Sequence, residues 1–210
     1  MLEQRYEIIA LTPERYDETF ALATRIFVAN SSVHKALEIS LEEYRNYYIK
    51  EFELIAEESL SLVSIDSKTG LVAGCLIGRD YCTDLSKIEP NIKLAPLSRL
   101  IGCLEDQYKK HRQHQLGACA LVDIGAVDPE HEGHGIYRNL RTQAHSLFKT
   151  KGYRYVVGEL SSSATQHVLI NKMGHREIAN VAFADFTYNG STPFASIEEP
   201  PTIVMVEGEL

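Results

Sequence analysis

Apolar positions along this chain fall into two rhythms, one of period two and one near 3.6, and the changes of rhythm mark its elements. Residues 6–11 read as a short strand. Thr12-Pro13-Glu14 then reads as an N-cap with proline at the first helical position, and Tyr16, Phe20, Ala23 and Phe27 continue on one helical face. Asn30-Ser31-Ser32 breaks that helix, and residues 33–39 are weakly patterned. Ser40 with Glu43 reads as a capping box opening a second helix, with Leu41, Tyr44, Tyr48, Phe52 and Ile55 on its face. Two β-rich runs, 59–65 and 71–78, flank the polar turn Asp66-Ser67-Lys68-Thr69-Gly70 and predict an antiparallel hairpin. Residues 79–96 read mostly as loop. Leu97, Leu100, Ile101, Leu104 and Tyr108 have helical spacing that ends in the polar run 109–115.

The second half alternates more regularly: a strand over 118–127, a helix over 136–151 closed by Gly152, and a strand over 153–160. A short helix over 161–173, stopped by Gly174, a strand over 177–188 and a further strand candidate at 203–207 complete the order. With no internal repeat and no low-complexity linker, residues 1–210 are expected to form one domain of α/β (α+β) class around a single mixed sheet.

The stretch LVDIGAVDPEHEGHGIYRNLRTQAHSLF, residues 121–148, carries the most chemistry. An apolar strand stops at Asp128-Pro129, Gly133 and Gly135 relax the turn, and Ile136 opens a helix. Such a turn points free backbone N–H groups, backed by the helix dipole, at one place and favours a phosphate or pyrophosphate there. A plain strand-to-helix connection has the same look. It is neither a Walker loop nor a Rossmann fingerprint, because no Lys-Ser/Thr follows Gly135 and the third glycine of GxGxxG is missing.

Composition narrows the classes. The chain is acidic, with 29 Asp and Glu against 21 Lys and Arg and a net charge of -8, which disfavours nucleic acid and suits a cationic or neutral partner. Cys75, Cys82, Cys103 and Cys119 show no CxxC spacing, so reduced thiols are expected. MLEQRYEIIAL is too short and too charged for a signal peptide, and no apolar run approaches the roughly 20 residues that span a bilayer, so a cytoplasmic protein is expected.

Val127-Asp128-Pro129-Glu130-His131-Glu132-Gly133-His134-Gly135-Ile136, followed by Leu140, resembles the acetyl-CoA signature of the GNAT superfamily of N-acetyltransferases, Arg/Gln-x-x-Gly-x-Gly/Ala after a strand. Glu132 stands where that signature has Arg or Gln, and Tyr137 where it has Gly or Ala. The order of elements matches the GNAT fold over nearly the whole chain, and the helix inserted between the third and fourth strands most resembles the arylalkylamine N-acetyltransferase branch. The resemblance implies a mostly antiparallel sheet whose fourth and fifth strands splay apart to admit the pantetheine arm of acetyl-CoA. Gly125 then marks a bulge or a close backbone approach, Ala126 and Val127 offer backbone groups to the arm, and Glu132, Gly133, His134, Gly135, Ile136 and Tyr137 hold the pyrophosphate. Glu132 is expected to turn to solvent or to pair with Arg138 or Lys172. His131 and His134 could bond phosphate; as a metal pair they lack a third ligand, and no metal is expected.

Amine acetylation needs a general base to take the ammonium proton. Asp123, a carboxylate inside an apolar strand, is the first candidate; a structural carboxylate bonded to a neighbouring Arg or Tyr is the other reading. The resemblance places the family's general-acid tyrosine at Ile170, so Tyr137 and the hydroxyls of Ser161, Ser162 and Ser163 are the remaining acids. It places the insect branch's catalytic Glu at Asn30-Ser31-Ser32-Val33-His34, where Ser31 stands instead and His34 is a possible base or a solvated loop residue. Ser161-Ser162-Ser163 also reads as a helix N-cap.

The implied function is acetyl-CoA-dependent transfer of an acetyl group to a small primary amine by direct attack in a ternary complex, in a monomer or homodimer with no nucleic-acid or membrane partner. Acetylation of a protein or peptide amine, and a non-catalytic acyl-CoA-binding module, are the alternatives. Tyr44, Tyr47 and Tyr48 are expected on the acceptor side.

Overall fold

The computed structural model describes residues 5–89 and 91–210. Residues 1–4, the start of the segment judged too charged for a leader, lie outside them.

Seven strands form one sheet in the order β1-β2-β3-β4-β5-β7-β6. They are β1 (Tyr6–Ala10), β2 (Leu62–Asp66), β3 (Val72–Asp80), β4 (Cys119–Val127), β5 (Tyr155–Leu160), β6 (Arg176–Ala182) and β7 (Thr202–Glu209). Every neighbouring pair is antiparallel except β4 and β5. The segment read only as a candidate, 203–207, is a central strand hydrogen-bonded on both edges. The strand expected over 177–188 ends at Ala182, beyond which Phe183 and Phe186 turn back into the core with Phe194.

One face of the sheet carries α1 (Tyr16–Asn30), α3 (Leu41–Ala56) and α4 (Ala95–His111); the other carries α5 (Ile136–Thr150). The aromatic face foreseen for α3 is the core of the first cluster, where Tyr44, Tyr48, Phe52 and Ile55 pack on Phe20, Ile77 and Ile124. Its capping box is complete: Ser40 Oγ accepts from Glu43 N at 3.2 Å while Glu43 Oε2 accepts from Ser40 N at 2.8 Å. Thr12 sits before a single 3-10 turn (Pro13–Arg15), but no side-chain cap closes it. The weakly patterned segment after Ser31 is a short helix, α2 (Ser32–Ala36), whose N-cap is Ser31.

The far end of the sheet is tied by Glu207 of β7, whose carboxylate is fully enclosed. It accepts from Tyr108 Oη at 2.7 Å, Arg112 Nε at 2.9 Å and Arg176 Nη2 at 3.2 Å. These bonds satisfy a charge that would otherwise be expensive to bury, and they lock α4 against β6 and β7. That rigid edge supports β5, one wall of the region where the sheet opens.

Candidate active site

The opening follows from the ladder between β4 and β5. Their pairing runs only from Cys119 opposite Tyr155 to Leu121 opposite Val157, and then the strands part. Between Val122 and Val127 one edge of β4 stays bonded to β3 while the other is left without a strand partner. Asp123 is where the change occurs: Ile77 faces Ile124 but Gly78 faces Val122, so Asp123 is the extra residue of a β-bulge. The irregularity attributed to Gly125 therefore lies two residues earlier. Gly125 has the other role a strand glycine serves, because a Cβ there would stand 2.3 Å from the ring of Tyr137.

Two cavities meet across this gap. The larger, about 420 Å³, runs from the turn at Glu132, Gly133 and Gly135 past Val127, Gly125 and Tyr137 to Asp123, Glu159 and Ser161. The smaller, about 150 Å³, lies on the α3 side and is lined by His34, Tyr44, Tyr47, Tyr48, Glu51, Asp123 and Glu159 among others. Phe27, Asp123, Glu159 and Ser161 line both. The three tyrosines Tyr44, Tyr47 and Tyr48 stand together beside the smaller cavity.

The turn has the conformation an anion cradle needs. Gly133 and Gly135 have φ of 76° and 74°, the left-handed region, and open space where a Cβ would go. No side chain caps α5 at Gly135, so its first N–H groups remain available beside the cavity. Ile136 is buried and pins the helix start to the sheet. Glu132 is exposed and makes no ion pair with Arg138 or Lys172 among the described residues. His134 is exposed and its Nδ1 lies 2.9 Å from the Glu132 carbonyl, while His131 Nδ1 lies 3.1 Å from Tyr6 Oη. No group of three His, Cys, Asp or Glu suited to a metal occurs among the described residues. The loop and cavity thus fit a nucleotide diphosphate carrying an extended arm.

At the junction the charged groups have distinct surroundings. Both oxygens of Asp123 accept from Arg79 Nε, at 3.2 and 3.1 Å, in a pair little exposed to solvent. This is the structural-carboxylate reading of Asp123, realised with an arginine on the neighbouring strand. Burial raises the Asp123 pKa against the opposing pull of Arg79. Glu159 has no such partner: its Oε1 is shielded from solvent and unbonded. Burial, then the charge of Asp123, push its pKa up to about 8. Glu51 is raised to about 7 by burial and Asp123, against Arg79 and the Tyr47 hydroxyl.

His34 is not a solvated loop residue. It is 1% exposed, its ring lies edge-on to Phe27 and Tyr44, and Nδ1 sits 2.8 Å from Ser31 Oγ. Burial lowers its pKa to about 4, and its Nε2 is unbonded beside the smaller cavity. Ser161 lies at the junction, and Ser162 occupies the N-cap of α6 (Ser163–Gln166) without a side-chain cap. The helix foreseen over 161–173 continues only as a wider π turn (His167–Lys172). Ile170 packs against the apolar cluster of Leu160 and Leu169.

The sequence reading missed Glu159, Glu51, Arg79 and Arg141. Glu159 carried the signal that singled out Asp123, an acid inside an apolar strand (YVVGEL), and Arg79 the same signal with opposite charge. Arg141 and Glu51 sit at polar points of amphipathic helices, where an exposed residue looks the same.

No family model and no curated protein matches the sequence. Solved structures do match over nearly all of it. The C-terminal condensation domain of Ebony, in complex with beta-alanyl-dopamine, superposes with a TM-score of 0.86 at 16% identity, covering 98% of this chain and 99% of that one. Arylalkylamine N-acetyltransferase 2 from Aedes aegypti gives 0.81 at 15% identity, with 98% and 99% covered. The Drosophila melanogaster polyamine N-acetyltransferase, which forms N-acetylagmatine, gives 0.74 at 13% identity, with 98% and 100% covered. The chain therefore has the GNAT fold expected from its sequence.

Proposed function

We propose that this GNAT-fold chain is an acyl-CoA-dependent N-acyltransferase, with acetyl-CoA as the simplest donor and a small cationic amine as acceptor. The observation that carries this reading is the meeting of two cavities at Asp123, Glu159 and Ser161. One leads to a loop suited to a diphosphate. The other is lined by three carboxylates and three tyrosines, with no lysine or arginine among its lining residues. An arylalkyl or polyamine ammonium matches that lining through charge and through the aromatic rings. The amine substrates named for two of the structural neighbours support the same class.

Glu159 is the base in this scheme. A proton acceptor works best with a pKa near the working pH, which favours Glu159 at about 8 over His34 at about 4. Asp123 is held by Arg79 and supplies fixed negative charge to the incoming ammonium. Glu159 takes one ammonium proton, and the amine lone pair attacks the thioester carbonyl carbon. As the C–N bond forms and the C–S bond breaks, the second amine proton passes to solvent water, and the leaving thiolate takes a proton from water or from Tyr137, which solvent then reprotonates. Arg141 Nε donates to Tyr137 Oη at 2.9 Å and accepts nothing, so the tyrosine's own proton is free to point elsewhere. Unpaired β4 backbone N–H groups polarise the carbonyl.

Thiol release from acetyl-CoA with a panel of amines tests the reading. Aromatic monoamines and polyamines should release free CoA, and acidic or neutral acceptors should not. Tight CoA binding without release by any amine would leave a binding module instead, and release by peptide amines alone would move the acceptor to proteins.

A further inference from the structure

Beneath the gap between β4 and β5, α5 presents a buried cation of which the scheme above uses only the Nε. Arg141 is 2% exposed. Among the described residues its guanidinium makes one hydrogen bond, from Nε to Tyr137 Oη, its Nη1 is enclosed without a partner, and no carboxylate lies within 4 Å. A full charge placed this way is unfavourable unless something brings an acceptor to it. The neighbouring rings do not serve: His145 and His175 stack 5.1 Å apart, and burial lowers their pKa values to about 4 and about 3. They stay neutral, leaving the guanidinium as the unmatched charge.

Its position within the cavity says what could match it. Tyr137, one helical turn earlier, lies under Gly125, midway along the parted stretch of β4. The Nη end of Arg141 faces Gly158, where an added Cβ would stand 3.7 Å from Nη2 and 4.0 Å from Nη1. Gly158 is the first residue of β5 beyond the last position paired with β4, Val157. An arm entering from the Gly133–Gly135 turn therefore passes Gly125 and Tyr137 before it reaches Arg141, at the closed end where the acyl group must lie. With Nε occupied, the free end of the guanidinium presents two nitrogens in the fork that a carboxylate fits.

We propose that Arg141 makes this closed end a subsite for a short acyl group ending in a carboxylate, an assignment that rests on the acyl-CoA donor lying in the larger cavity. The transferred group is then a dicarboxylic half-thioester such as malonyl or succinyl in preference to acetyl. Gly158 keeps the approach to the guanidinium open, and Tyr137 holds its Nε.

The test compares kcat/KM for malonyl-, succinyl-, acetyl- and butyryl-CoA with one accepted amine. A charge-assisted pair of this kind should favour succinyl- over butyryl-CoA by about tenfold or more. Arg141→Met should bring that ratio to about one, and Arg141→Lys should retain part of it. Gly158→Ala, which leaves the charge in place and narrows its approach, should lower the ratio as well, with thermal melts confirming that each variant is folded. A butyryl donor equal to or better than succinyl, or a succinyl preference that survives Arg141→Met, would overturn the subsite. If no donor is turned over with any amine, the transferase reading fails separately; binding of the same thioesters by calorimetry then decides the subsite, and equal affinities, or no binding, overturn it.

Discussion

On one side of the parted strands, three carboxylates face a small aromatic-lined cavity that no lysine or arginine lines. The larger cavity, which ends at an uncapped helix start, adds two arginines, Arg138 and Arg141, to its own carboxylates Asp123, Glu132 and Glu159. The two meet where β4 and β5 come apart, and there Asp123 and Glu159 belong to both. In the proposed reaction the arginine-bearing cavity takes the anionic donor and the other takes the ammonium. The two arginines come from α5 and line only the larger cavity, Glu51 lines only the smaller, and on β5 Glu159 lines both while Gly158 faces Arg141. A one-residue bulge sets Asp123 between the two cavities without disturbing the β3–β4 pairing on either side of it.

Removing the unpaired carboxylate breaks the contrast most severely. Glu159→Gln should lower turnover by about a hundredfold or more, the range for loss of a general base, with little change in CoA affinity. In the unsubstituted protein kcat/KM should rise with pH through about 8 as Glu159 loses its proton, and the variant should lack that rise. A variant with the same profile would remove Glu159 from the chemistry.

The next effect is on stability. Asp123→Ala leaves Arg79 largely buried without its partner and should cost about 3 kcal/mol, read from urea unfolding. A loss under about 1 kcal/mol would show that solvent or Glu159 takes over the guanidinium. Gly125→Ala forces a methyl group into the Tyr137 ring and should cost about 1–3 kcal/mol while raising the KM for the donor. An unchanged KM would mean that the donor does not pass Tyr137.

The gentlest sharpening is the pH dependence of stability. Glu159 binds its proton more tightly folded than unfolded, so its contribution is present in full below about 4.5, the unfolded value, and fades as the pH rises through about 8. Glu159→Gln should therefore lose less stability than the parent between about pH 5 and pH 9. His34, His145 and His175 have the opposite sign, since their pKa values fall on folding, and they weaken the fold as the pH drops below about 6.5. Parallel stability curves for parent and variant would contradict the burial assigned to Glu159.

Much of this was legible beforehand because the local signals agree with one another. The Ser40 and Glu43 cap, the Asp66 to Gly70 turn and the glycines before Ile136 are short-range devices whose residues dictate their geometry. The site was legible on β4, where an acid breaks an apolar run, and in the turn. What the sequence concealed depends on contacts between distant segments. Arg79 meets Asp123 because β3 pairs with β4, and Arg141 lies beside Gly158, just past the point where β5 ends its pairing with β4 at Val157. His34 looked like a loop residue because the rings that bury it, Phe27 and Tyr44, come from the two flanking helices.

The most direct measurement is a crystal structure with desulfo-CoA and an amine. The account requires the diphosphate on the main-chain N–H groups between Gly133 and Ile136, the arm between β4 and β5, and the amine nitrogen beside Glu159. A nucleotide bound elsewhere, or an amine on the α5 side of the sheet, would contradict it.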